Sequence, residues 1–212
     1  MSTPLVGDWE KLKRVGRYLR GHARLVQKFP FEARSRTMDG YGDSDWAGDK
    51  VKCKSTSGGA IFLGRSLLKS WSSTQSIIAL SSGEAELYAL MKVAVQVLGT
   101  IAMANDFDFV CSGKVRTDST AAIGIVSRTG LGGRSRHVRV QYLWIQEAVK
   151  RSEFTLEKVL TDHNVADLLT KYLSKEPFMR HLVTMGFEFR EGIADNARTI
   201  NGLKWNIKPW GV

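Results

Sequence analysis

Three consecutive strand-like segments followed by one long apolar helix constrain the fold of this chain more than any other feature. The three segments, residues 39–46, 57–63 and 67–72, are rich in small and β-branched residues and are bounded by glycines. A capping-box pattern at residues 81–84 then predicts the start of a helix with apolar side chains at helical spacing to about residue 104. The later predicted strands are 114–117 and 154–159, and the later helices are 120–128, 137–150, 164–171 and 176–185. This order, βββ-α-β-α-α-β-α-α, predicts an α/β (α+β) chain in which helices cover a mixed sheet.

The N-terminal segment is a basic amphipathic stretch. Trp9, Leu12, Val15 and Leu19 recur at helical spacing and predict a helix over residues 8–20, with Asp8 as its N-cap. The whole chain carries a net charge of +10, which is typical of a protein with a polyanionic partner, either nucleic acid or an anionic membrane surface. The basic side chains of this helix either form a solvated face or contact phosphates; they include Arg14, Arg17 and Arg20.

Composition excludes several classes of protein. The chain has two cysteines, Cys53 and Cys111, without metal-ligand spacing, which indicates a reduced intracellular protein rather than a disulfide framework. The N-terminus lacks the pattern of a secretory signal, and we expect no apolar run long enough to span a bilayer.

Four carboxylates lie where a sheet enzyme places its ligands. Asp43 is in the first predicted strand, Glu86 in the first turns of the long helix, Asp118 at the end of the fourth strand, and Asp167 in the short helix after the fifth. Such positions can converge at one edge of a sheet and form a hard-ligand site for Mg²⁺ or Mn²⁺. From spacing alone, Asp118 could equally be a helix N-cap and Glu86 an ordinary first-turn acid.

Local motifs favour the metal site. They occur in one order: YGDSDWAGD at 41–49, KSTSG at 54–58, SWSS at 70–73, ALSSGEAELYAL at 79–90, TDS at 117–119 and VADLLTK at 165–171. Over about residues 39–186 this set resembles the ribonuclease H domain of copia-type retrotransposon polyproteins. MSTP at 1–4 and RYLRG at 17–21 resemble the end of the reverse transcriptase that precedes it. We therefore predict a basic helical segment at 1–36, a ribonuclease H domain at 37–189 and a tail at 190–212.

The resemblance implies a ribonuclease H fold, with a five-stranded mixed sheet flanked by helices. It implies that Asp43, Glu86, Asp118 and Asp167 hold two Mg²⁺ ions, or Mn²⁺, and that Glu86 rather than Glu84 is the ligand of its double-acid stretch. The implied activity is endonucleolytic cleavage of the RNA strand of an RNA–DNA hybrid, which leaves 5′-phosphate ends. Implied surroundings are a reverse transcriptase domain in the same polyprotein and a cytoplasmic location, including a virus-like particle, with no membrane partner.

The sequence also departs from the family pattern. Gly83 replaces the usual Thr before the double-acid stretch, which would loosen the cap of the helix that carries Glu86. Arg139 replaces an acid, and Tyr172 stands where a Pro is common. Gly40 and Gly42 would soften the first strand. None of these removes a ligand, but each would be expected to lower activity.

Several interpretations stay open at this point. His163 is either a proton shuttle near Asp167 or a histidine with no chemical role. Arg134, Arg136 and Arg139 surround a glycine-rich segment that is either a substrate-facing basic loop or a plain turn. The rival functions are a catalytically inactive nucleic-acid-binding or connection domain, a transposase or integrase of the same fold, and a membrane-surface protein.

Overall fold

The structure of the chain is a computed structural model that describes residues 5–22, 24–31, 35–129 and 144–192. It divides into two compact units, one made of residues 1–28 with 187–212 and one of residues 29–186. The predictions for Arg134, Arg136 and Arg139, for the glycine-rich segment and for residues 193–212 lie outside the described residues.

The described helices and strands include the predicted ones in their predicted order, together with two short strands that were not predicted. They are α1 (Val6–Gly21), β1 (Arg24–Gln27), β2 (Thr37–Asp49), β3 (Lys54–Leu63), β4 (Ser66–Thr74), α2 (Ser82–Asn105), β5 (Ser112–Thr117), α3 (Thr120–Val126), α4 (Trp144–Lys150), β6 (Thr155–Lys158), α5 (Lys175–Thr184) and β7 (Phe187–Arg190). Two 3₁₀ helices, Thr161–His163 and Val165–Leu169, lie between β6 and α5. The helix predicted at 164–171 is therefore a shorter 3₁₀ helix.

The larger unit is built on a five-stranded mixed sheet in the order β4-β3-β2-β5-β6. The first three strands form an antiparallel meander, whereas β5 and β6 are added in parallel beside β2. Because parallel neighbours need a crossover, α2 and later α3 and α4 connect them and cover the sheet. The predicted five-stranded sheet flanked by helices is confirmed.

Helix α2 forms the centre of the core. Its buried face includes Leu87, Leu90, Val93 and Val97, each with no exposed surface. Two glycines of β2 permit this packing: a Cβ added at Gly40 would lie 2.5 Å from Val97 Cγ2, and one at Gly42 would lie 3.0 Å from Val93 Cγ2. Glycines that we expected to soften β2 therefore allow α2 to pack closely against it.

The expectation that no apolar run could span a bilayer needs correction. By length and hydropathy alone, α2 would qualify as a membrane-spanning helix. A buried core helix passes the same test, and the high hydropathy of α2 comes in part from the face that packs on the sheet.

The smaller unit contains α1 and a two-stranded sheet. β1 pairs with β7 in antiparallel fashion, with Arg24 opposite Arg190 and Gln27 opposite Phe187. Neither strand was predicted, because four-residue strands have little pattern of their own and form through pairing between distant segments. Helix α1 begins at Val6, so Asp8 is not its N-cap; its carboxylate instead accepts a hydrogen bond from the Leu5 backbone amide at 3.1 Å.

Candidate metal centre

The two central parallel strands deliver one acid each to the same edge of the sheet. The ladder between β2 and β5 runs from Thr37 opposite Ser112 to Tyr41 opposite Arg116. Asp43 and Asp118 each follow two residues after that last pair, so they occupy corresponding positions just beyond the ladder. Their convergence follows from this register.

Glu86 joins them from the first turns of α2. The Ser44 backbone amide donates a hydrogen bond to Glu86 Oε1 at 3.3 Å, which ties the helix to β2 beside Asp43. One carboxylate oxygen from each of Asp43, Glu86 and Asp118 lies within 4.8 Å of the others. Glu84 is engaged elsewhere: its carboxylate accepts hydrogen bonds from the Leu80 amide at 2.7 Å and from the Tyr88 hydroxyl.

The electrostatics of this cluster favour a bound cation. Burial, followed by the charges of Asp43 and Asp118, raises the pKa of Glu86 to about 8. Glu86 Oε2 is buried without a hydrogen-bond partner among the described residues. A buried acceptor without a donor is costly, and a hard divalent ion is a partner that three converging carboxylates can satisfy. These residues therefore fit a Mg²⁺ or Mn²⁺ ion.

Asp167 is not among the three clustered acids. Its 3₁₀ helix packs against Gly58, which lies opposite Asp43 in the sheet; a Cβ added at Gly58 would lie 2.7 Å from Thr170 Cγ2 and 3.0 Å from the Ala166 carbonyl oxygen. Lys171 links this segment to Asp43, since its ammonium donates to Asp43 Oδ1 at 3.0 Å and to Asp167 Oδ1 at 2.9 Å.

Asp43 is held by the same segment. Its carboxylate is 1% exposed, and its second oxygen accepts a hydrogen bond from the Thr170 hydroxyl. Burial raises the pKa of Asp43 to about 6; Thr170 and Lys171 act in the opposite direction, and Asp167 adds to the rise. Asp43 therefore connects the three-acid cluster to Asp167.

Asn164 positions Asp118. This fully buried amide donates to the Gly42 carbonyl oxygen at 3.0 Å and to Asp118 Oδ1 at 3.4 Å. Helix α3 is capped by Ser119, whose hydroxyl accepts from the Ala122 amide at 3.2 Å. The alternative interpretation of Asp118 as a helix N-cap is therefore wrong.

The remaining predicted site residues lie elsewhere. His163 is exposed at the end of the 3₁₀ helix Thr161–His163. Arg14, Arg17 and Arg20 are exposed on α1, in the smaller unit. Sequence reasoning assigned no role to Asn164, Thr170 or Lys171, although Asp167 and Lys171 have the i, i+4 spacing of a helical ion pair.

Comparisons with known proteins identify relatives of this chain. No family model matches the chain. The chain is 29% identical over 183 residues to the retrovirus-related Pol polyprotein from transposon TNT 1-94 of Nicotiana tabacum, an alignment that covers 84% of this chain. It is also 29% identical over 184 residues to that from transposon RE2 of Arabidopsis thaliana, again over 84% of this chain. Both of these relatives are retrotransposon Pol polyproteins. The predicted resemblance to copia-type polyproteins is thereby confirmed.

The matched region is a small part of those relatives. The chain spans 13% of the TNT 1-94 polyprotein and 12% of the RE2 polyprotein. The activities of a whole Pol polyprotein are therefore not carried over to this chain.

Solved structures of similar fold include two ribonucleases H1. LC11-RNase H1, isolated from compost, is 17% identical with a TM-score of 0.48, over 64% of this chain and 93% of that one. RNase H1 from Halobacterium salinarum NRC-1 is 20% identical with a TM-score of 0.44, over 63% and 94%. The fold of this chain is described by its own sheet, a three-stranded antiparallel meander extended by two parallel strands.

Proposed function

We propose that this chain is a metal-dependent nuclease domain that hydrolyses the RNA strand of RNA–DNA hybrids with two Mg²⁺ or Mn²⁺ ions. The observation that carries the proposal is the convergence of Asp43, Glu86 and Asp118 on one point, where no described residue donates a hydrogen bond to Glu86 Oε2. The relationship to retrotransposon Pol polyproteins and the sequence motifs support the choice of substrate.

In this proposal the four acids hold two ions. Asp43, Glu86 and Asp118 would hold one ion, and Asp43 with Asp167 would hold the other. Bound divalent ions activate a water and stabilise the leaving oxygen of a phosphodiester. Asn164 orients Asp118 through its 3.4 Å hydrogen bond, and the Ser44 amide fixes Glu86 Oε1. Discrimination in favour of RNA would come from contacts to the 2′-hydroxyl and to backbone shape.

The test is cleavage of a labelled RNA–DNA hybrid by the full chain, with Mg²⁺, Mn²⁺ or EDTA. We expect cutting of the RNA strand with either metal, 5′-phosphate products and no cutting in EDTA. Glu86→Gln should abolish cleavage, whereas Asp106→Asn, a matched change at an exposed acid at the end of α2, should leave it intact.

Three results would contradict the proposal. Equal cutting of double-stranded DNA would exclude hybrid specificity, and activity unchanged in EDTA would exclude metal dependence. Hybrid binding without cleavage under every metal condition would favour the rival function, a catalytically inactive binding domain.

A further inference from the structure

Lys171 places a positive charge inside the acidic site. Its ammonium lies 3.0 Å from Asp43 Oδ1 and 2.9 Å from Asp167 Oδ1, so one cation bridges two almost fully buried carboxylates. The Lys171 side chain is itself 38% exposed, which leaves its flexible stem a route towards solvent.

The bridge divides the four acids into two unequal groups. The Asp43–Asp167 side is neutralised by Lys171, while the Glu86 side contains a buried oxygen that receives no hydrogen bond within the described part of the chain. Each carboxylate oxygen has two lone pairs, so Asp43 can accept from Thr170 and Lys171 and still offer a lone pair to the three-acid cluster. An incoming divalent ion therefore meets an unshielded group of acids on one side and an occupied pair on the other.

We propose that Lys171 is an internal counter-ion that occupies the Asp43–Asp167 position in the metal-free protein and must be displaced when a divalent ion binds there. This rests on the metal site of the proposed function. Lys171 is a positioning residue in this account: it holds the two acids together before metal arrives and weakens one of the two metal positions relative to the other. The protein would then load its ions in order, first at Asp43, Glu86 and Asp118, and afterwards at Asp43 and Asp167.

Calorimetric titration of the full chain with Ca²⁺ tests this without any need for turnover. The unmodified protein should bind one ion more tightly than a second. Lys171→Met removes the competing charge and should tighten the second binding event about tenfold or more. Lys171→Arg keeps a cation beside the two acids, so its second event should stay as weak as in the unmodified protein.

Thermal unfolding of the same proteins provides an independent measurement. In EDTA, Lys171→Met should melt below the unmodified protein, because Asp43 and Asp167 then repel each other without compensation. Added Ca²⁺ should raise its melting temperature by more than it raises that of the unmodified protein. Lys150→Met, an exposed lysine of α4 that gives the same change in net charge, should alter neither measurement.

The outcomes separate this inference from the proposed function. Equal second-ion affinity in the unmodified protein and Lys171→Met, with both proteins folded, would overturn the counter-ion role and leave the metal site standing. Both proposals fail if neither protein binds Ca²⁺ and if the added substitution Glu86→Gln does not change the melting temperature of either protein. Should Lys171→Met not fold, a Lys171→Arg variant that binds its second ion tightly would overturn the inference.

Discussion

At the scale of single residues, Asp118 is the acid whose removal tests the cluster most directly. Its carboxylate lies within 4.8 Å of Asp43 and Glu86, and Ser119 rather than Asp118 caps the next helix. Asp118→Asn removes one repelling charge and keeps an oxygen that can accept from Asn164. We expect the metal-free protein to gain about 1–3 kcal/mol, seen as a melting temperature raised by several degrees, while cleavage is severely reduced.

Calorimetry in EDTA and then in Mg²⁺ measures this effect. Magnesium should raise the melting temperature of the unmodified protein, because an ion that binds only the folded state stabilises it. That gain should be smaller in Asp118→Asn. An unchanged melting temperature in both conditions, combined with full cleavage by the variant, would mean that the acids do not form a metal site.

The raised pKa of Glu86 predicts how stability depends on pH. A carboxyl whose pKa is about 8 in the folded protein, against 4.5 ordinarily, binds its proton more tightly when folded. The metal-free protein should therefore be most stable below about pH 4.5 with respect to this group and lose stability as the pH rises to about 8. Asp43, whose pKa is about 6, adds a further loss of stability in the lower part of the same pH range.

Urea unfolding in EDTA at about pH 5.5, 7 and 8.5 measures this slope. Glu86→Gln should flatten it, because the amide does not titrate, and saturating Mg²⁺ should flatten it in the unmodified protein. A free energy of unfolding that rises with pH over this range in EDTA would falsify the assignment of Glu86 to a buried, charge-crowded position.

At the scale of elements, the site depends on how closely a 3₁₀ helix can approach the sheet. Gly58→Ala would place a Cβ 2.7 Å from Thr170 Cγ2 and 2.9 Å from Leu169 Cβ, so the segment that carries Asp167 and Lys171 must move. We expect a loss of about 1–3 kcal/mol in stability together with weaker binding of the second Ca²⁺ ion. Urea unfolding and calorimetric titration measure the two effects.

Gly99→Ala is the matched control for this substitution. Gly99 lies within α2, and a Cβ there would meet nothing within 4 Å. The change should stabilise the protein by up to about 1 kcal/mol through helix propensity and leave ion binding alone. If both alanines affected ion binding equally, close packing at Gly58 would not be the cause.

Gly83 also permits a close approach, in this case between two helices. Gly83, which replaces a usual Thr, was expected to loosen the start of α2. The cap is nevertheless formed, since the Ser81 hydroxyl accepts from the Glu84 amide at 3.2 Å. A Cβ at position 83 would lie 2.9 Å from Ala121 Cβ, so the glycine allows α3 to pack against the start of α2.

The elements that sequence patterns predicted well are the five strands of the main sheet and α2, each located to within a few residues. The first strands are rich in small and β-branched residues and bounded by glycines, and α2 has an apolar periodicity that burial in the core explains. The short strands β1 and β7 and the 3₁₀ form of Val165–Leu169 were missed, since contacts with distant residues determine them.

The sequence predicted the acids of the candidate site but not the hydrogen bonds and ion pairs that connect them. Motif resemblance selected Asp43, Glu86, Asp118 and Asp167. The bridge made by Lys171 depends on Gly58 and on the register of β2 with β3, which no local pattern encodes. Three acids cluster while the fourth pairs with a lysine, and that division is visible only in three dimensions.

At the scale of the whole molecule, the basic helix and the acidic site lie in different units. We expect Arg14, Arg17 and Arg20 to contribute affinity for nucleic acid and not chemistry. Changing all three to Ala should weaken hybrid binding about equally for all sequences and reduce the log–log salt slope by roughly 0.7–0.9 per lost phosphate contact. The calorimetric Ca²⁺ titration should be unchanged.

Binding is best measured in an Asp118→Asn background, where cleavage does not consume the substrate. Changing Lys50, Lys52 and Lys54 to Ala, in and beside the β2–β3 turn, removes the same charge from another part of the chain. A salt slope that is lowered equally in both triple variants would mean that net charge alone attracts the hybrid.

The end of the β2–β5 ladder has a consequence for which ions the protein can accommodate. Pairing stops at Tyr41 and Arg116, so the backbones that carry Asp43 and Asp118 can diverge slightly without breaking a ladder hydrogen bond. Asn164 spans this gap, because its amide donates a hydrogen bond to the Gly42 carbonyl oxygen at 3.0 Å and a longer one to Asp118 Oδ1 at 3.4 Å. Magnesium needs ligands at about 2.1 Å and calcium at about 2.4 Å, and a gap that widens without breaking a ladder hydrogen bond can admit both radii. Ionic radius would then discriminate only weakly between metals at this edge of the sheet. The choice between metals would depend on their coordination chemistry and on their supply in the cell.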